Sequence, residues 1–333
     1  MKLASLKNDC RDGMLIAVDR NLTRAVAVQH IASTLRDAIE RWDSVAPQLD
    51  AVYQSLCDRD SPVADSFSFD PAHCMSPLPR SFQWLDGSAY LNHAELVRRA
   101  RNADMPELLY REPMIYQGAS DSFIGPRDPI LVADEAAGID LEAEVAVICD
   151  DVPMGVDKTE ARRHIKLLML VNDVSLRNLM PEELSKGFGF LTSKPATAFS
   201  PVAVTPDELG KAWDGVKLSL PIRSYVNDVK LGAPNAGVDL DFDFADLIVH
   251  AARTRELEAG TIIGSGTVSN RDASFGSSCL QEKRMLEKIA HGEPRTSHLR
   301  FGDQVTIDMS DENGGSIFGA IVQRVAPYRA APG

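Results

Sequence analysis

Leu141-Glu142-Ala143-Glu144-Val145-Ala146-Val147-Ile148-Cys149 reads as a β-strand with one apolar face and a second that is buried or half-buried. Leu141, Ala143, Val145, Val147 and Cys149 alternate onto one side. The other side carries Ala146 and Ile148, and it begins with Glu142 and Glu144. Residues two apart in a strand point the same way, so the two carboxylates share that side about 7 Å apart at the backbone. Like charges on a half-buried face repel and are poorly hydrated unless a cation lies between them or their pKa values rise. A strand end that reaches solvent is the plainer alternative, since charged residues are mostly exposed.

The rest of the chain sets the context. Its 333 residues are long enough for a large core and two domains. With 44% hydrophobic and 25% charged residues, composition is that of an ordinary globular protein. A net charge of -13 argues against a nucleic-acid or anionic-membrane surface. Five scattered cysteines, at 10, 57, 74, 149 and 279, form no Cys-x-x-Cys and suit reduced thiols. Residues Met1 to Cys10 lack the apolar core of a signal peptide, and no apolar run is long enough to span a bilayer. A cytoplasmic location is expected.

Residues 1–75 are expected to form a small α/β unit, with residues 76–333 as the main domain. In the first unit a hairpin is expected around Asp19-Arg20-Asn21. A helix follows from Leu35, with Thr34 and Asp37 in capping-box positions, and a second helix is predicted to start at Pro47. Beyond it, Ser88 to Ala103 has helical spacing that turns His93 inward, with Asp86 at the helix start. Asp157 to Leu168 reads as a helix running into a buried strand that closes at Asn172-Asp173. Val216–Leu220 and Ile222–Val226 read as strands before an Asn227-Asp228 turn, and Asp243 is placed to cap a helix from Phe244. The glycine turn Gly264-Ser-Gly-Thr267 lacks the Gly-Lys-Ser/Thr ending of a phosphate loop. Strands outnumber helices after residue 100 without regular βαβ alternation, so the fold class is strand-rich α+β.

Three words, Asp140-Leu-Glu142-Ala-Glu144-Val-Ala-Val, Val171-Asn-Asp173-Val-Ser-Leu-Arg177 and Gly264-Ser-Gly-Thr267, together resemble the fumarylacetoacetate hydrolase family in its longer form with a small N-terminal domain. Asp86, followed by His93 seven residues on, matches that form as well. The resemblance covers about residues 80–325 and implies a mixed β-sandwich roll, usually dimeric. It implies that Asp86, Glu142, Glu144 and Asp173 ligate one divalent cation. All-carboxylate ligation favours Mg²⁺ or Ca²⁺, with Mn²⁺ also compatible and zinc disfavoured.

The implied reaction is hydrolysis of a carbon–carbon bond beside a carbonyl in a small anionic 1,3-diketo acid such as fumarylacetoacetate. His93 would act as general base, oriented by an acid for which Glu282 is the candidate. Lys194 and Arg177 would stabilise the oxyanion and the substrate carboxylate, while Tyr116, Thr267 and Arg101 match substrate-contacting positions. Two departures fall around this pocket. Met180 stands where the family's fumarylacetoacetate cleavers carry glutamine, and the Lys194–Thr197 interval is one residue shorter. They leave open acylpyruvate hydrolysis and the decarboxylation, hydration or isomerisation of 2-oxo acids. A binding protein that keeps the metal cage without turnover is the alternative from another class.

Overall fold

The computed structural model describes residues 1–58, 62–99 and 104–329. The chain opens with an antiparallel meander, β1 (Lys2–Leu6), β2 (Met14–Val18) and β3 (Arg24–Ala27), followed by α1 (Leu35–Glu40), α2 (Trp42–Cys57) and the short β4 (Phe67–Ser68). Thr34 caps α1 by accepting from the Asp37 amide, as its sequence position suggested. Helix α2 starts five residues before Pro47 and runs through it. The bond that proline forgoes would go to the carbonyl of Asp43, an exposed residue in the first turn, where solvent access keeps the cost of losing it low.

There follow β5 (Trp84–Gly87), α3 (Leu91–Arg99), β6 (Ile115–Gly118), β7 (Ile130–Val132), β8 (Ile139–Asp140) and β9 (Ala143–Cys149). Next are α4 (Lys158–Ala161), β10 (Ile165–Asn172), β11 (Ser175–Leu176), α5 (Met180–Lys186), β12 (Ala198–Phe199) and β13 (Ala203–Val204). The last elements are β14 (Arg223–Val226), β15 (Val229–Gly232), α6 (Phe244–Ala251), β16 (Ile262–Gly264), α7 (Leu280–His291), β17 (Gln304–Asp308) and β18 (Ile321–Pro327). The α4 helix is one turn, not three, because the buried strand β10 claims Ile165 onward through its pairing with β9. Val216–Leu220 is not a strand. The Asp214 carboxylate accepts from the amides of Val216 and Lys217 and holds a turn there instead. At the β14–β15 hairpin, Asn227 and Asp228 both have positive φ, the geometry of a two-residue turn. Asp243 and Asp246 form a reciprocal capping box on α6.

Among the described residues, one eleven-stranded sheet runs in the order β4-β3-β2-β1-β13-β10-β9-β16-β5-β6, with β12 also on β10. A five-stranded sheet, β15-β14-β17-β18-β7, packs with it. This is the strand-rich α+β architecture the pattern called for, and the strands of residues 1–75 continue the main sheet. Strand β9 has two dry faces. Leu141, Ala143, Val145, Val147 and Cys149 enter one apolar cluster, while Ala146 and Ile148 enter a second shared with α1 and α2. No described helix is long and apolar enough to cross a membrane.

Candidate functional site

Strands β5 and β9, with β16 between them, and the end of β10 bring carboxylates to one end of the second face. Trp84, Ala146 and Val171 belong to the cluster under α1 and α2. Asp86, Glu144 and Asp173 lie two residues from each of these in turn, on the same side of their strands. Register fixes the alignment, since Gly264 pairs with both Asp86 and Ala146, and Val171 pairs with Glu144. Gly264 must lack a side chain, because a Cβ there would come within 2.5 Å of Asp86 Oδ1 and of the Trp84 ring. Gly266, at φ +75, lets the chain turn so that its amide donates to Asp86 Oδ1 at 3.1 Å.

Asp86, Glu142, Glu144 and Asp173 thereby converge, one oxygen from each lying within 4.8 Å of the others. All four are buried. Oxygens ligating one hard cation at the usual bond lengths stand about 4–5 Å apart across it. Among the described residues, neither Glu144 oxygen has a hydrogen-bond partner although both are buried. A buried carboxylate without a donor needs a proton or a cation. The donor set and this orphaned pair of oxygens fit a hard divalent ion.

Two cations flank the cluster. Lys194 Nζ donates to Glu142 Oε2 at 2.6 Å and Asp173 Oδ2 at 2.5 Å. Arg177 Nη2 donates to Glu142 Oε1 at 2.7 Å, and its Nε donates to Asp140 Oδ2 at 2.8 Å. Burial alone would raise Glu142, but Arg177 and Lys194 outweigh it and hold the carboxyl far below its ordinary value. Glu144 and Asp86 go the other way. Burial first pushes both well up, with Asp86 and Asp173 adding to it for Glu144 and Asp173 adding to it for Asp86. Burial would lower Lys194, yet Asp173 and Glu142 keep it firmly protonated.

His93, Tyr116 and the turn that carries Thr267 stand around this cluster. His93, on α3, places Nδ1 3.1 Å from Glu282 Oε2 on α7, with the histidine side chain 17% exposed and the glutamate 2%. Tyr116 on β6 donates to Asp173 Oδ2 at 2.6 Å, and its ring lies 5.2 Å from Lys194 Nζ. Thr267 is buried in the turn between Gly266, bonded to Asp86, and Val268, bonded to β9. Met180 Sδ stands 3.8 Å from Arg177 Nη1. Arg101 lies outside the described residues. Asp86 is on a strand rather than at a helix start, and α3 begins only at Leu91.

Sequence reasoning passed over several participants. Thr197 donates to Asp173 Oδ1 at 2.9 Å, and the Phe190 ring meets Tyr116 edge-on with centroids 5.5 Å apart. Asp140, fully buried, accepts from Arg177 and from the first turn of α7. Thr197 and Asp140 stood inside or beside stretches already marked. Phe190 lies in a glycine-flanked loop with no periodicity to single it out.

A family model described as fumarylacetoacetate (FAA) hydrolase C-terminal matches residues 83–326, and one described as fumarylacetoacetase N-terminal domain 2 matches residues 1–80. The chain is 30% identical over 159 residues to a 2,4-didehydro-3-deoxy-L-rhamnonate hydrolase from Sphingomonas sp., a stretch covering 47% of this chain and 53% of that one. It is 26% identical over 205 residues to the oxaloacetate tautomerase YisK of Bacillus subtilis, covering 61% and 64%. The match thus spans between half and two thirds of the length of these two relatives. Its fold is similar, with a TM-score of 0.66 at 14% identity, to a crystal structure of maleylpyruvate hydrolase from Sphingobium sp. SYK-6 in complex with manganese(II) ion and pyruvate, covering 99% of this chain and all of that one.

Proposed function

The chain belongs to the fumarylacetoacetate hydrolase family, and on that premise we propose that it is a metal-dependent hydrolase of small anionic acyl 2-oxo or 1,3-diketo acids. The observation that carries this reading is the His93–Glu282 pair beside the four-carboxylate cluster. Asp86, Glu142, Glu144 and Asp173 would hold a divalent cation, Mg²⁺, Ca²⁺ or Mn²⁺. When bound, such an ion supplies a Lewis acid and a fixed point for a chelating keto acid.

The protein's own groups do the rest. Glu282 accepts from His93 Nδ1, which fixes the tautomer and leaves the Nε2 lone pair as the base. His93 takes a proton from water, and the hydroxide adds to the carbonyl carbon of the acyl group. The carbon–carbon bond then breaks, its electron pair leaving as the enolate of the 2-oxo product, which is reprotonated by the imidazolium. Lys194 and Arg177, both fixed as cations by their carboxylate partners, set a positive field for the developing oxyanion and the substrate carboxylate. Met180 beside Arg177 Nη1 puts a thioether, not an amide, on that side of the pocket. This favours acyl groups that are less polar there than fumarate.

A second reading has its own support. Keto–enol exchange of a 2-oxo acid needs the cation and one base but no attacking water, and an oxaloacetate tautomerase is among the relatives. The test is a panel of acylpyruvates, fumarylacetoacetate and oxaloacetate, with Mg²⁺ or Mn²⁺ and with chelator, hydrolysis products being identified by mass spectrometry and enol–keto exchange followed by the enol absorbance. Hydrolysis predicts two acids in equal amounts. Enol–keto exchange alone selects the tautomerase, and bound metal without turnover across the panel selects a binding protein.

A further inference from the structure

Helix α7 carries Glu282, so whatever sets the position of its first turn sets the His93–Glu282 pair. The first amides of a helix have no intrahelical acceptor and need partners from outside. Here Leu280 N donates to Asp140 Oδ1 at 2.7 Å and Gln281 N to Asp140 Oδ2 at 2.9 Å. Glu282 N donates to Cys279 Sγ, in the N-cap position, at 3.3 Å. Two of these three bonds thus go to one carboxylate that lies 140 residues away in sequence. The same Asp140 Oδ2 accepts from Arg177 Nε, and that guanidinium reaches on to Glu142.

Asp140 is fully buried and sits between the two halves of the site. On one side it grips the helix that holds the general base through Glu282. On the other it grips the arginine that holds a carboxylate of the cluster. The β8–β11 pairing, with Ser175 opposite Asp140, places Arg177 in the turn directly after β11. The negative charge of Asp140 suits both neighbours, the positive end of a helix and a guanidinium.

We infer that Asp140 is a positioning residue for the reaction proposed above, holding the His93–Glu282 pair at its working distance from the carboxylate cluster. It touches neither base nor cluster directly and acts on the base through α7, while its bond to Arg177 ties that helix to the cluster. Replacing it by asparagine keeps the shape and one acceptor but turns an amide donor toward donors, loosening the first turn without emptying the site.

The inference rests on the hydrolase reading, so the experiment separates the two. Wild type, Asp140→Asn, His93→Gln and the double variant are assayed at saturating Mn²⁺ on the best substrate of the panel, with Mn²⁺ affinity and melting temperature measured alongside. We expect Asp140→Asn to lower kcat about 10- to 100-fold, to leave KM and Mn²⁺ affinity within about threefold, and to cost nothing further in the His93→Gln background. Wild-type kcat in Asp140→Asn would overturn the inference while leaving the reading intact. So would an equal loss in both backgrounds, or a loss restored by raising Mn²⁺. A wild type without turnover on any substrate would remove both. If Asp140→Asn does not fold, Asp140→Ser, smaller and still able to accept from one first-turn amide, takes its place in the same cycle.

Discussion

One face of the main sheet is divided between two regions that are equally dry and opposite in chemistry. Under α1 and α2 it buries Leu35, Leu49, Tyr53, Leu56, Ile148 and Met169. A few residues along the same strands it buries Asp86, Glu142, Glu144 and Asp173. Leu49 and Glu144 are both completely excluded from solvent. For the leucine, that exclusion is the source of its stabilisation. For the glutamate it is a cost, relieved only by a proton, a cation or a fixed positive neighbour. The sheet registers both sets of side chains with the same backbone bonds, so the apolar region can supply the stability that the acidic one consumes.

The largest effect should come from the acidic end and should be seen in turnover. His93→Gln keeps a donor for Glu282 but removes the proton acceptor. Turnover should fall about 10²- to 10⁴-fold while the melting temperature stays within a few degrees of wild type. A variant that unfolds early yet turns over normally would mean that His93 belongs with the structural region, and the division drawn here would be wrong.

The mirror experiment is at the apolar end. Leu49→Ala leaves a cavity beneath α2 and should cost about 2–5 kcal/mol of stability in urea unfolding. Turnover per folded molecule should not change, because α2 packs chiefly on α1, β2 and β3, which carry no residue of the site. A drop in kcat with stability intact would show that the two regions are mechanically coupled along the sheet.

How much of this division can be read from the chain depends on the range of the interaction. The strand from Leu141 to Cys149 is legible because alternation with period two survives burial on both faces, and the Glu142/Glu144 pair stands out against it. Asp86 and His93 are legible only through their resemblance to a family spacing. Helical periodicity joins them on one helix, whereas the six residues between them pass from a strand through Ala89 and Tyr90 into α3. Pro47 misleads because proline favours a helix's first position, although a solvated first turn tolerates it further in. Lys194 lies in a loop where nothing local marks it as the cation of the site. Asp140 is harder still. An aspartate at a strand start is indistinguishable from a turn former until α7 returns from 140 residues away to place its amides there.

The smallest effect, and the one that speaks most directly to the contrast, is the pH dependence of the metal-free protein. Glu144 and Asp86 are raised in the folded state by burial and by their acidic neighbours. In the unfolded chain they titrate near their ordinary values of about 4. Between those values and the raised ones, the folded state binds more protons than the unfolded state. Stability contributed by this pair therefore falls as pH rises, by at most about 1.4 kcal/mol per pH unit for each proton. Glu144→Gln keeps the shape and removes one titrating group. In chelator it should be more stable than wild type at pH 8, and the gap should narrow toward pH 5 as the carboxyl of the unfolded chain approaches its ordinary titration range. Mn²⁺ should flatten the wild-type profile by replacing the proton with an ion, and should do less for the variant. Urea unfolding from pH 5 to 8.5, with chelator and with Mn²⁺, measures all four curves. Parallel curves for wild type and variant would mean that Glu144 keeps its charge unaided, and that this end of the sheet carries no electrostatic cost for the apolar end to offset.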